Sequence, residues 1–206
     1  MNIRATIKEH LSKVLSLLVT KILVPIGVTA NHATVAGFLI TCLGATFILR
    51  DSLVAAGCIL LFGASLDMLD GIIARTTGSA SNRGALLDSI ADRISEAIIF
   101  LCIVSHYLVS AEDSTDSINP QVLWTCTALV TSLMVSYLRA KGESLGVSSS
   151  IGWITRPERM ILVVVGLIAS HWYPDSLFIC IQVIAVGSMI VSGQRFKAIW
   201  QDNHKP

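Results

Sequence analysis

Asp67 and Asp70, followed by Asp88 and Asp92, are the residues whose types and spacing carry the clearest chemistry in this chain. The first two stand three positions apart and the second two four apart, so each pair shares a face if its segment is helical. The intervening stretch TTGSASNRG (76–84) is short, which makes the flanking segments antiparallel neighbours and brings the four carboxylates together. Like charges gathered in a half-dry place raise one another's pKa and cost several kcal/mol unless a cation sits among them. An all-oxygen donor set with no His or Cys suits Mg²⁺, Mn²⁺ or Ca²⁺ rather than Zn²⁺. Gly71 and Gly84 allow close backbone approach, and Arg75 and Arg83 offer guanidinium forks that match phosphate. Two metals in such a cluster can bridge a diphosphate and stabilise a departing phosphate, with one carboxylate left as base. The same acids also read as solvated helix caps, as partners for Arg75, Arg83 and Arg93, as favourable first-turn charges at a helix dipole, or as a transporter's ion site.

The elements that must position these residues are membrane helices. Of 206 residues, 53% are hydrophobic and 14% charged, against roughly 25% charged in soluble domains. Apolar runs predict six spans, at about 31–49, 53–74, 84–110, 120–140, 157–172 and 174–194. Ahead of them, Ile3, Ile7, Leu11, Val14 and Leu18 recur at helical spacing opposite Arg4, Lys8, Glu9, Ser12 and Lys13. This predicts an amphipathic interfacial helix over 1–22, preceding a single all-α membrane domain over 23–206. A signal peptide is the rival reading, disfavoured by Lys21 and a poor cleavage site. The five cysteines lie in or beside apolar runs without CxxC spacing and read as small buried hydrophobes.

Charge sets the expected topology. With a cytoplasmic N terminus, Arg4, Lys8, Lys13, Lys21, Arg75, Arg83, Arg139, Lys141, Arg156, Arg159, Arg195, Lys197 and Lys205 fall on the cytoplasmic side. The opposite face keeps Arg50 and the acidic Asp51, Glu112, Asp113, Asp116 and Asp175. The expectation is a multi-pass cell-membrane protein with both termini and the four aspartates at the cytoplasmic surface, acting on a lipid headgroup.

Read as one string, Asp67-x-x-Asp70-Gly71-x-x-Ala74-Arg75, eight residues, then Gly84-x-x-x-Asp88-x-x-x-Asp92 resembles the complete signature of the CDP-alcohol phosphatidyltransferase family. The resemblance extends to the six spans and the amphipathic N-terminal helix. It implies transfer of a phosphatidyl group from a CDP-activated lipid to a polar alcohol, with release of CMP. By that resemblance Asp67, Asp70 and Asp88 hold two Mg²⁺ or Mn²⁺ ions. Asp92 completes the second ion's shell and acts as general base, while Gly71, Arg75, Arg83 and Gly84 belong to the CDP-lipid site. The segment GVTANHATVAG (27–37) resembles the family's entry to the first span, with Ala30 where a proline is usual, and Asn31 and Thr34 then face the nucleotide. On the residues alone, Asn31 is simply a helix cap and Thr34 an early-turn residue.

The acceptor is read from Arg139, Lys141, Arg156, Arg159 and Arg195, at the cytoplasmic ends of the last three spans. The pieces YLRAKGESLGV and TRPERM resemble the branch of the family that uses inositol phosphate, where basic residues clasp the acceptor's phosphate. Glycerol-3-phosphate is the alternative acceptor, and a cation-coupled transporter the remote one, disfavoured by the absence of an internal repeat. Expected partners are the bilayer, the CDP-lipid, a phosphorylated polyol and a second copy of the chain in a homodimer, with no nucleic acid. Glu96 continues the stripe of Asp88 and Asp92 and reads either as an orienting group or as a partner of Arg93.

Overall fold

The structure, a computed structural model, describes residues 25–110, 119–147 and 151–202. These residues form six helices: α1 (Ala30–Ile48), α2 (Leu53–Thr77), α3 (Asn82–Val109), α4 (Pro120–Ser144), α5 (Arg156–Ala169) and α6 (Ser176–Asp202). The amphipathic helix expected over 1–22 lies outside the described residues.

Local chemistry fixes several of the helix starts. The Thr29 hydroxyl accepts from the His32 amide at 3.3 Å, so Thr29 caps α1 and Asn31 sits inside it. Asn119 caps α4 through a 2.9 Å bond from the Gln121 amide, ahead of Pro120, whose missing N–H falls where a helix has no use for one. At α5 a capping box joins Thr155 and Glu158: the Thr155 amide donates to Glu158 Oε2 at 2.9 Å, and the Thr155 hydroxyl donates to the same oxygen.

Four helices are long and apolar enough to cross a membrane: Ala30–Ile48, Leu53–Thr77, Pro120–Ser144 and Ser176–Gln201. The other two expected spans, α3 and α5, fall outside that group of four. The 28-residue α3 has the length, but it carries Arg83, Asp88, Asp92, Arg93 and Glu96 within roughly its first four turns. The 14-residue α5 spans about 21 Å, short of the ~30 Å of a hydrocarbon core. Leu39, Phe62, Leu123, Val130, Val186 and Ile190 point outward and exposed on the four apolar helices, an arrangement that water penalises and hydrocarbon does not.

The chain divides into two compact units, one drawn from Met1–Cys42 and Leu61–Ser95, the other from Leu43–Leu60 and Glu96–Pro206. In the first, Ala33, Leu69, Ile72 and Ile73 form a small core. There α1 and α2 cross almost backbone to backbone. A Cβ on Gly63 would stand 2.9 Å from Thr41 Oγ1 and 3.4 Å from the Gly37 carbonyl, and one on Gly37 would stand 3.4 Å from the Asp67 amide nitrogen. In the second unit α4 and α5 both pack on α6, around a core that includes Phe100, Ile103, Leu167, Ile181 and Ile184. A smaller apolar cluster there joins Val135, Ile154 and Val191.

Candidate active site

The turn between α2 and α3 shows how local sequence aims the carboxylates. Gly78 adopts φ +65°, a left-handed conformation that glycine enters without a Cβ penalty, and the Ser79 amide closes on the Ala74 carbonyl at 3.1 Å. This pattern ends α2 in a Schellman motif. Three residues later the Ser81 hydroxyl accepts from the Gly84 amide at 3.1 Å and starts α3. Asp67 therefore lies nearly three turns and Asp70 about two turns before the end of α2, and Asp88 nearly two turns after the start of α3, deeper than the helix ends where hydropathy places them. No acidic residue occupies the first turn of α3, so the helix-dipole reading of Asp88 and Asp92 does not hold.

Within the first unit Asp67, Asp70 and Asp88 converge. One carboxylate oxygen from each lies within 4.8 Å of the others, and all three side chains are half-buried. Three hard oxygen donors at that spacing in a partly dry site fit a divalent cation of the Mg²⁺ or Mn²⁺ type. Asp92, one turn beyond Asp88 and also half-buried, is outside this group of three.

Thr34 reaches the centre from α1. It is 4% exposed, and its hydroxyl stands 2.6 Å from Asp70 Oδ2 and 3.1 Å from the Ala30 carbonyl. The short bond to a carboxylate is the stronger claim on its single proton. Asn31 Oδ1 lies 3.3 Å from where a Cβ on Gly84 would be, so the missing side chain makes room for the start of α1. Gly71 serves its own helix in a similar way: Arg75 Nη1 sits 3.3 Å from the Cβ position, folded back over the glycine. Arg75 and Arg83 are exposed, and Arg93 donates to both the carbonyl and the hydroxyl of Ser89 at 2.8 Å.

The second unit holds the basic residues read from the sequence as the acceptor site. Arg159 is fully buried and makes a two-point ion pair with Glu96: Nε donates to Oε1 at 2.6 Å and Nη2 to Oε2 at 2.9 Å. Glu96 is therefore a partner of Arg159, not of Arg93. Arg195, 2% exposed, donates through Nε to the Ile151 carbonyl and through Nη1 to the Val135 carbonyl, each at 2.8 Å. It lies close enough to Arg139 and Arg159 to feel the charge of both. Arg139 is exposed and pairs with Glu143 at 3.0 Å; Lys141 is exposed and Arg156 half-buried. Sequence reasoning missed two partnerships, Thr34 with Asp70 and Glu96 with Arg159. The separations of 36 and 63 residues left no local signal for either.

Comparison with known proteins follows the same lines. Residues 27–192 match the family model described as CDP-alcohol phosphatidyltransferase. The archaetidylinositol phosphate synthase of Pyrococcus horikoshii is 36% identical over 196 residues, which cover 94% of this chain and 92% of that protein. The crystal structure of Mycobacterium tuberculosis phosphatidylinositol phosphate synthase with CDP-DAG bound is 32% identical, with a TM-score of 0.81 over 91% of this chain and 94% of that one. A second structure of the mycobacterial enzyme, in complex with manganese and citrate, is 34% identical, with a TM-score of 0.78 over 86% of this chain and 85% of that one.

Proposed function

The chain belongs to the CDP-alcohol phosphatidyltransferase family, as a multi-pass membrane transferase, and from that premise we propose the reaction it catalyses. It transfers a phosphatidyl or archaetidyl group from a CDP-activated lipid to a hydroxyl of inositol phosphate and releases CMP. The observation that carries the chemistry is the convergence of the Asp67, Asp70 and Asp88 oxygens within 4.8 Å. The relatives' names, phosphatidylinositol phosphate synthase and archaetidylinositol phosphate synthase, support the acceptor, and the manganese bound to the mycobacterial enzyme supports the cofactor.

In this reading Asp67, Asp70, Asp88 and Asp92 hold two divalent ions, Mg²⁺ or Mn²⁺, which when bound neutralise the diphosphate and stabilise the departing CMP. Asp92 accepts the proton of the attacking hydroxyl. The acceptor oxygen forms the new P–O bond as the bond to CMP breaks. Thr34 holds Asp70 by its 2.6 Å hydrogen bond. Asn31, Gly71, Arg75, Arg83 and Gly84 form the CDP-lipid site, where the exposed guanidinium groups of Arg75 and Arg83 meet phosphate oxygens. Arg139, Lys141, Arg156, Arg159 and Arg195 take the acceptor's phosphate. The gathering of buried Arg159 and Arg195 with exposed Arg139 supports this assignment, because clustered cations favour an anion beside them.

The proposal extends to topology: six spans follow an interfacial helix, the basic ends and the active site face the cytoplasm, and the chain works as a homodimer.

The test is a panel of acceptors incubated with CDP-diacylglycerol or CDP-archaeol, with CMP release followed. Inositol phosphate is expected to turn over while free inositol and serine do not. Arg156→Ala, Arg159→Ala and Arg195→Ala are each expected to raise the acceptor KM much more than the CDP-lipid KM, since each removes a charge-assisted contact worth roughly 1.5–3 kcal/mol. Comparable turnover of free inositol overturns the phosphate clasp. A preference for glycerol-3-phosphate keeps the clasp and changes the acceptor.

A further inference from the structure

We infer that Glu96 is a positioning residue for the acceptor: it fixes the Arg159 guanidinium so that a single terminal nitrogen, Nη1, is presented for phosphate. The inference rests on the acceptor reading above. Glu96 and Arg159 are both 0% exposed, and the carboxylate takes Nε and Nη2 side-on with both oxygens, at 2.6 and 2.9 Å. That engagement removes the edge by which an arginine most often grips an oxyanion. Nη1 remains, and it is buried without a hydrogen-bond partner among the described residues.

A buried guanidinium N–H group left unmatched is costly, so its persistence calls for an occupant. Its surroundings indicate which kind. Arg139 and Arg159 both act electrostatically on Arg195, with Glu96 paired to Arg159, Glu143 paired to Arg139 and Glu158 also acting on Arg159. Arg195 is itself pinned by two backbone carbonyls, which carry no charge to balance it. A guanidinium N–H is a charged donor that bonds most strongly to an anionic oxygen, and on the acceptor reading that oxygen belongs to the phosphate. Arg159 is anchored from below as well: the Thr155–Glu158 capping box fixes the first turn of α5, and the Arg159 amide bonds the Thr155 carbonyl at 3.2 Å. Glu96 thus works through Arg159 without touching substrate.

The test compares Glu96→Gln, Glu96→Asp and Arg159→Ala in the full-length protein, with steady-state CMP release measured from CDP-diacylglycerol and inositol phosphate. Glu96→Gln should raise the acceptor KM by about tenfold and leave the CDP-lipid KM within about twofold. Glu96→Asp, which retains the charge and shortens the reach, should recover part of that loss. Arg159→Ala should raise the acceptor KM at least as far, and combining it with Glu96→Gln should add little. If Arg159→Ala raises the acceptor KM and neither Glu96 variant does, the positioning role is overturned and the phosphate clasp stands. If Arg159→Ala leaves it unchanged, Arg159 takes no part in the clasp and the positioning role is overturned, while Arg156→Ala and Arg195→Ala still decide the clasp. A fall in acceptor KM for Glu96→Gln would mean that Glu96 repels the acceptor, against the proposal. Failure of both Glu96 variants to give folded, monodisperse protein would mark the pair as a purely structural bridge and overturn the inference.

Discussion

A carboxylate that must grip a hard cation gains from a donor on its second oxygen, because the donor settles which oxygen faces the ion. In the proposed metal site Thr34, bonded to Asp70 Oδ2, would stand in that relation. Thr34→Val keeps the shape and removes the hydroxyl, and is expected to raise the Mn²⁺ concentration needed for half-maximal activity by about tenfold, with Thr34→Ser near wild type. An unchanged metal titration for the valine variant would reduce Thr34 to a packing residue. The ligands themselves should behave more drastically: Asp70→Asn and Asp88→Asn are each expected to lose turnover by orders of magnitude while remaining monodisperse in detergent. Full activity after exhaustive treatment with EDTA would remove the metal from the mechanism. The convergence of Asp67, Asp70 and Asp88 was legible in the sequence because their offsets place them on shared helix faces, whereas Asp92 lies outside that group. The hydroxyl on Asp70 and the carboxylate on Arg159 were not legible, because each contact depends on packing between segments far apart in the chain.

At the scale of elements, the crossing of α1 on α2 decides where Asp67 sits. The bare backbones at Gly37 and Gly63 let the helices approach until the Asp67 amide lies 3.4 Å from the Cβ position of Gly37. Gly63→Val would force side-chain carbon into Thr41 and the Gly37 carbonyl, splay the pair and move Asp67. The expected result is a loss of thermal stability together with a raised metal requirement; a lower melting temperature with an unchanged metal titration would separate the crossing from the site. Helix order and the α2–α3 hairpin were legible, since Gly78 and Ser81 are plain stop and start signals. The helix ends were not. Hydropathy marks where side chains stop favouring lipid, whereas a helix runs on through polar residues until a cap takes over its backbone bonds, so α2 reaches Thr77 and α3 begins at Asn82. The start of α5 at Arg156 likewise follows from its capping box, not from the apolar run that it leads into.

For the whole molecule, the outward-facing apolar residues of α1, α2, α4 and α6 leave orientation to the charged ends. In a variant with its five cysteines replaced, a single cysteine at Ser79 is expected to resist a membrane-impermeant maleimide in intact cells and to react after lysis. One at Asp51 should react from outside, and the reverse pattern would invert the topology. The α2–α3 hairpin also has a consequence for biogenesis. Asp67, Asp70, Asp88 and the Thr34 that holds Asp70 all precede residue 89, so the cation-binding cluster is translated before any of the basic residues assigned to the acceptor. At roughly 5–20 residues per second, the rest of the chain follows on the order of ten seconds later. During that interval the hairpin carries its clustered negative charge alone. A divalent ion bound by those carboxylates would neutralise that charge and stabilise the folded hairpin, as does any ligand that binds only the folded form.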